Sequence, residues 1–164
     1  MDEPSDPTTN TWLSLVLKLS QCSRQMRRAL GERAAGHGLS DSDSLALWAC
    51  QQAGNAGQPQ HDLATQMGVS PAQLSGLLDG LGERGLLIGR RPSHDRRRQY
   101  WRITPVGAEL LARLLADLSA WCRPLADSFP NEERRQLEEQ LSRLTTAVAD
   151  AATPSVTSHR QEAA

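Results

Sequence analysis

Apolar side chains recur at three- and four-residue steps over residues 12 to 30, which places them on one face of a helix. The glycine-containing segment GHGLS that follows breaks this pattern. The same spacing returns over residues 110 to 125 and again over 137 to 148, with Pro124 limiting how far the first of these helices runs straight. The pattern therefore predicts long amphipathic helices at both ends of the chain.

Between these ends, shorter helices are predicted by their capping residues. Ser40 is placed to cap a helix whose first turn carries two aspartates, and a short helix is predicted at about residues 60 to 67. Ser70 and Gln73 match a Ser-x-x-Gln capping box, and Pro71 between them suits the first helical position. Two helices joined by the tight turn MGVS predict a helix-turn-helix.

After this motif the pattern changes from helix to strand. The segments LLIGR and QYWRIT are predicted to be two short strands around the turn PSHD, whose residues favour turns. Only one Phe and one Tyr are present, so the core must be built mainly from Leu and Ala, which favours helices. The sequence therefore predicts a mainly α fold with a small β-hairpin directly after the helix-turn-helix.

Charge is distributed unevenly along the chain. The formal net charge is -1, yet residues 84 to 102 contain seven arginines and one acid, a local charge of +6. A run of charge is usually a solvated surface, but arginines on a hairpin beside a capped helix are typical of a surface that binds duplex DNA. We expect the helix to enter the major groove while the hairpin reaches phosphates or the adjacent minor groove.

Cysteine usage and the chain ends bear on location. The three cysteines, Cys22, Cys50 and Cys122, have spacings that suggest neither a disulfide framework nor a metal knuckle, and we expect reduced, buried thiols. The four histidines are isolated, which argues against a metal site. Neither a signal peptide nor a membrane span is supported by the sequence. We therefore expect a cytoplasmic protein with no cofactor.

At this point the residues resemble a known family. Asp95 and Arg97, followed by Ile103 and Thr104, are similar to the wing motif of MarR-family transcription regulators, and Gly107 fits the pattern that follows it. LSDSDSLALW at 39 to 48 resembles the second helix of that family. The resemblance implies a winged helix-turn-helix flanked by long dimerisation helices. It divides the chain into an unstructured N-terminus, an N-terminal dimerisation helix, a DNA-binding domain, C-terminal dimerisation helices and an unstructured tail, with bounds 1–10, 11–38, 39–104, 105–151 and 152–164.

The resemblance also implies a role for each matched residue. Arg97 is expected to insert into the minor groove, with Asp95 as the ion-pair partner that orients it; the alternative for Asp95 is a simple turn former. Helix residues that face DNA in the family, together with the arginines of the hairpin, give the expected DNA-binding set: Ser70, Gln73, Ser75, Gly76, Arg90, Arg91, Asp95, Arg96, Arg97 and Arg98. For Gln73, helix capping is an equally weighted alternative.

One departure from the family pattern concerns base recognition. Gly76 stands where many members carry Arg, and Gly80 and Gly82 further reduce the contact surface of the helix. We therefore expect sparse direct readout of bases, with affinity supplied by the wing and specificity partly by DNA shape.

Family members often respond to a small aromatic ligand or to oxidation. Trp12 and Trp48 are candidates to line a ligand crevice, although core packing is the favoured alternative. Cys22 is a candidate redox site, but it lies later along the helix than the reactive cysteine of peroxide-sensing members, whose position matches Val16.

The expected function is thus that of a non-enzymatic, homodimeric repressor that binds a pseudo-palindromic duplex DNA operator and is relieved by a small-molecule effector or by oxidation. No catalytic motif stands in a credible context. The alternative is a non-catalytic helical interaction or dimerisation module with only non-specific DNA affinity, which the glycine-rich helix favours and the wing arginines oppose.

Overall fold

The computed structural model of the chain describes residues 7–91 and 98–152. Six helices and three short strands carry most of this length, joined in part by single 3-10 turns at Ala35–His37 and Gly54–Ala56. In chain order the elements are α1 (Pro7–Ala34), α2 (Asp41–Gln52), β1 (Gln58–Pro59), α3 (Gln60–Met67), α4 (Pro71–Glu83), β2 (Leu87–Arg90), β3 (Tyr100–Ile103), α5 (Pro105–Ser128) and α6 (Asn131–Ala152). The predicted fold class, mainly α with a small hairpin after a helix-turn-helix, is confirmed.

The predicted unstructured ends are too long at both boundaries. Helix α1 begins at Pro7, so the prediction was wrong for residues 7 to 10. Proline suits the start of a helix, where its missing N–H leaves no bond unmade, and apolar periodicity alone does not detect such a polar first turn. At the other end Ala152 is still helical and closes α6.

The capping signals place α2 and α4 where they were expected, and α3 lies at the predicted residues without a side-chain cap. Ser40 Oγ accepts a hydrogen bond from Asp43 N at 3.0 Å, and the Asp43 carboxylate accepts one from Ser40 N at 2.9 Å. The second box is also present, with Ser70 Oγ accepting from Gln73 N at 3.3 Å and Gln73 Oε1 accepting from Ser70 N at 3.1 Å. Each box satisfies backbone donors that the first helical turn leaves unpaired.

The three strands form one antiparallel sheet in the order β1-β3-β2. Register pairs Leu87 with Ile103 and Arg90 with Tyr100, as predicted for a hairpin. Strand β1, which pairs with the outer edge of β3, was not predicted, because two residues carry no alternation that a sequence can show. The turn PSHD lies outside the described residues.

The core of the first compact unit, residues 1–119, is built from aliphatic side chains of α2, α3, α4, α5 and the sheet. Its largest fully buried side chains are Leu47, Leu63, Leu74, Leu78, Leu81, Leu114 and Cys50. Leu77 is only partly buried, so three of the four leucines expected to face the core from α4 are fully within it. Leu and Ala thus supply most of the burial, as the shortage of aromatic residues predicted.

Helix α1 is tied to the start of α2 by a polar contact within this unit. Arg27 Nε lies 2.8 Å from the Asp41 carboxylate, and its Nη2 donates to Ser42 Oγ at 3.0 Å. A guanidinium that donates to two neighbouring acceptors fixes geometry better than a single bond.

The junction between the wing and α5 explains the spacing of Thr104 and Gly107. Thr104 Oγ1 accepts from Gly107 N at 3.0 Å and so caps α5, and it donates to Gly85 O at 2.7 Å. Gly85 has a φ of 69°, the left-handed conformation that suits the residue after a helix. The Leu86 carbonyl accepts from Thr104 N at 3.0 Å and lies directly beside Gly107.

The second unit begins at residue 120 and contains the end of α5 and all of α6. Helix α5 continues through Pro124 to Ser128, although the proline removes one backbone hydrogen bond. No residue of α6 is buried, and the stripe that includes Leu137, Leu141 and Val148 is exposed in the single chain.

Candidate nucleic-acid interface

The surface of α4 is polar and carries no basic residue. Ser70, Gln73 and Gly76 are exposed along it, and Ser75 is half-buried. Helix α4 has one hydroxyl and one amide where a typical groove-reading helix carries longer donors, so it provides few groups for base edges. Positive charge for the phosphates must then come from elsewhere.

Gln73 takes part in the capping box described above, so its side-chain oxygen serves helix capping, as the alternative for this residue proposed. Its Oε1 accepts from both the backbone N–H and the hydroxyl of Ser70. This geometry leaves the two amide N–H donors of Gln73 as the groups with which it can meet an acceptor on DNA.

The described arginines of the wing lie where the hairpin leaves the sheet. Arg90 is the last residue of β2 and Arg91 follows it, both exposed, and Arg91 donates to Gln99 Oε1 at 3.3 Å. Arg98 is exposed just before β3. Asp95, Arg96 and Arg97 lie outside the described residues, so their expected roles stay predictions.

Two of the seven arginines in the basic window serve the fold. Arg84 Nη2 donates to the Gly38 carbonyl at 2.8 Å and lies beside the Asp43 carboxylate. Arg102 Nη2 donates to Asn55 Oδ1 at 2.6 Å. Neither was in the expected DNA-binding set, and each bonds to a partner 46 or 47 residues away along the chain.

A cleft of about 740 Å³ lies between the first turn of α3, the start of α4 and the base of the wing. Two guanidinium groups, two amides and one hydroxyl are among the groups that line it. Its lining residues are Pro59, Gln60, His61, Asp62, Ala64, Pro71, Ser75, Arg91, Arg98 and Gln99. The two arginines and the neutral donors suit the sugar-phosphate backbone of DNA, and the two guanidinium groups outnumber the single carboxylate of the lining, that of Asp62.

Sequence reasoning missed two residues of this region, Gln60 and Trp101. The Trp101 indole N–H donates to Gln60 Oε1 at 3.1 Å, and Gln60 Nε2 donates to Ser75 Oγ at 2.7 Å. The chain of bonds joins β3, α3 and α4. No local pattern signals it, because the partners are separated by 41 and 15 residues.

The candidate sensor residues are placed on separate elements. Trp12 on α1 is 52% exposed and Trp48 on α2 is 49% exposed. Neither side chain is therefore packed in the core of the single chain. Their membership of a ligand crevice stays a prediction.

The cysteines correct the expectation of buried thiols. Cys50 is buried, and burial raises the pKa of its thiol to about 12. Cys22 and Cys122 are exposed, and the sulfur of Cys22 lies 3.9 Å from that of Met26 on the same helix face. The local sequence did not distinguish these environments because all three cysteines lie in helical patterns.

The described part of the chain shows neither a metal site nor a membrane span. Residues 7–91 and 98–152 contain no cluster of three His, Cys, Asp or Glu side chains suited to a metal ion. None of the helices in these ranges combines the length and apolar character needed to cross a membrane.

Comparison with known proteins gives consistent matches. The sequence profile of the MarR family matches residues 37–98, which span α2 to the wing. The HTH-type transcriptional repressor YetL of Bacillus subtilis is 26% identical over 132 residues, covering 80% of this chain and 79% of the relative.

Solved structures share the fold over most of their length. CouR from Rhodococcus jostii RHA1, solved with p-coumaroyl-CoA, is 23% identical with a TM-score of 0.70, covering 88% of this chain and 95% of that one. MepR of S. aureus, solved with DNA, is 17% identical with a TM-score of 0.66, covering 80% of this chain and 96% of that one.

Proposed function

We propose that the chain is a MarR-family winged helix-turn-helix regulator and acts as a homodimeric transcriptional repressor that binds a specific DNA duplex, which the profile match over residues 37–98 and the likeness to YetL support. The observation that carries the proposal is the juxtaposition of a capped, polar helix with a wing whose base presents Arg90, Arg91 and Arg98. Neutral donors suit base edges and arginines suit phosphates, and the two surfaces border one cleft. The proposal assigns the protein no catalytic step and places it with the chromosome in the cytoplasm.

Dimerisation is supported by apolar surface that the single chain leaves uncovered. Helix α1 exposes Trp12, Leu13, Val16 and Leu17, each by more than half of its surface. A second copy of the chain would cover such a stripe, and a two-fold dimer presents two recognition helices to half-sites about one helical turn apart.

A small aromatic effector is the proposed inducer. CouR was solved with p-coumaroyl-CoA, an aromatic acyl thioester, and MepR with DNA, so the shared fold accommodates both kinds of partner. Trp12 and Trp48 expose indole surface on which an aromatic ring can stack. Oxidation at the exposed Cys22 is the second proposed route of release.

The test is selection of a duplex from a random pool, followed by fluorescence anisotropy with the selected and a scrambled duplex. We expect Arg97→Ala to abolish the preference for the selected duplex, while Gln73→Ala lowers it only at one or two base positions. Arg143→Ala, on α6 outside the helix-turn-helix, removes the same charge and is expected to leave the preference unchanged.

Two results would count against the proposal. Equal loss from Arg97→Ala and Gln73→Ala would refute the division of labour between wing and helix. If the wild-type protein enriches no sequence, and its weak binding disappears with salt, the interaction-module alternative holds instead.

A further inference from the structure

Gln60, the first residue of α3, is held by three hydrogen bonds, to Gln99 just before β3, to Trp101 on β3 and to Ser75 on α4. Its backbone N–H donates to the Gln99 carbonyl at 2.9 Å, and its side-chain oxygen accepts from the indole of Trp101. Its side-chain amide donates to Ser75 in the middle of α4. One side chain therefore connects the base of the wing to the proposed recognition helix.

The orientation of the Gln60 amide is determined by Trp101. Trp101 is 5% exposed, and its indole ring lies beside Gly82 and Gly89, where an added Cβ would be 3.4 to 3.5 Å from the ring, an ordinary contact distance. A buried indole N–H can only donate, so it requires the oxygen of Gln60. The amide nitrogen must then face Ser75.

The direction of this bond determines what Ser75 can offer to DNA. A hydroxyl that accepts from an amide keeps its own proton for another acceptor. Ser75 lies in the lining of the cleft that also contains Arg91 and Arg98, the surface proposed to meet the DNA backbone. Its hydroxyl is thus available as a hydrogen-bond donor at this surface.

We propose that Gln60 is a positioning residue for DNA recognition: it holds Ser75 as a donor toward an acceptor on DNA and fixes α4 against the base of the wing. This inference rests on the proposed DNA-binding function. The acceptor is either a base edge or a phosphate oxygen. A loss confined to the selected duplex identifies a base, and an equal loss on a scrambled duplex identifies a phosphate.

The test is a double-mutant cycle between Gln60→Glu and Ser75→Ala, measured as dissociation constants for the selected duplex. Glutamate retains an oxygen for the Trp101 indole but replaces the amide donor by an acceptor, so Ser75 must donate inward and loses its bond to DNA. We expect binding to weaken by about five- to tenfold in the Ser75 background, which corresponds to the loss of one hydrogen bond. In the Ser75→Ala background the same change is expected to weaken binding several-fold less.

The cycle separates hydrogen-bond direction from the added negative charge, which acts in both backgrounds. Gln66→Glu is the matched control, because Gln66 lies on the same helix and accepts from Gln58 Nε2, a role that glutamate retains. We expect this control to weaken binding equally in the two backgrounds. Equal fold-changes from Gln60→Glu in the two backgrounds would overturn the inference.

A neutral variant repeats the cycle without the added charge. Gln60→Met removes both side-chain bonds of Gln60, and the loss of the Trp101 bond acts in both backgrounds and cancels in the cycle. Non-additivity with Ser75→Ala again supports the inference, and additivity again overturns it. Selection of no duplex by the wild-type protein refutes the proposed function itself, whereas selection followed by additivity refutes only the role of Gln60.

Discussion

Replacing Gly107 by alanine adds one methyl group where α5 packs against the wing. An ideal Cβ at this position lies 2.2 Å from the carbonyl oxygen of Leu86 and 3.0 Å from Cγ1 of Ile103. An ordinary carbon–oxygen contact is about 3.3 Å, so the two backbones must separate by about 1 Å. The Leu86 carbonyl is not free to retreat, because it accepts the hydrogen bond from Thr104 N.

The change in the free energy of unfolding combines two destabilising contributions and one stabilising contribution. Overpacking of this kind costs about 1–3 kcal/mol, and weakening the Thr104 bond adds about 0.5–1.5 kcal/mol. Alanine recovers about 1 kcal/mol relative to glycine through its helix propensity. We expect a net loss of about 2 kcal/mol in the free energy of unfolding, or a melting temperature lower by about 4–8 °C for a domain of this size.

The assay is thermal and urea unfolding followed by circular dichroism at one fixed protein concentration, since dimerisation makes the midpoint depend on concentration. Gly80→Ala is the control, because an added Cβ there meets nothing within 4 Å. It is expected to raise the melting temperature by a few degrees. If Gly107→Ala melts at or above the wild-type temperature, the close approach of Leu86 to Gly107 is not a constraint on the fold.

Further predictions concern the thiols and the dimer. In the native protein, Cys22 and Cys122 are expected to react with an aromatic disulfide reagent at pH 8. Cys50 is expected to react only after unfolding, because its pKa near 12 leaves a thiolate fraction on the order of 10⁻⁴ at that pH. Equal reaction rates for all three thiols in the native protein would contradict this. Because the pKa of Cys50 is raised from 9.0, its stabilising contribution is complete below pH 9 and should be lost as the pH rises toward 12, which urea titrations at several pH values can measure. Leu17→Glu, at a side chain 71% exposed on α1, is expected to give a monomer in sedimentation with the helix content retained, and a dimer of unchanged stability would exclude this face from the interface.

The elements that were predicted well are those whose cause lies within a few residues. Ser40 and Ser70 each accept from a backbone N–H three residues ahead, so the capping box is readable from the sequence. The hairpin strands were likewise recognisable from their turn and their β-prone residues. Strand β1 is the counterexample, since two residues become a strand only through pairing with Trp101 and Tyr100.

The glycines show how a correct local rule gives an incomplete interpretation. Gly82 was expected only to weaken α4 and to reduce its contact surface. In the structure it lies against the indole ring of Trp101, whose N–H begins the hydrogen-bonded chain to Ser75. This contact does not require a glycine, because an added Cβ at Gly82 would lie 3.5 Å from the ring, an ordinary contact distance. It joins residues 19 positions apart, which a local pattern does not reveal.

The structure also divides the seven arginines of residues 84 to 102 into two groups. Arg84 and Arg102 donate to the Gly38 carbonyl and to Asn55 Oδ1, so both take part in hydrogen bonds within the fold. The remaining five arginines fall between positions 90 and 98 of the sequence, whereas α4 contains no basic residue. In this arrangement the neutral donors of α4 serve base recognition, and the arginines of the wing segment attract the phosphates. Specificity then depends on how firmly α4 is held relative to the wing, which is the relation that the Trp101–Gln60–Ser75 chain fixes.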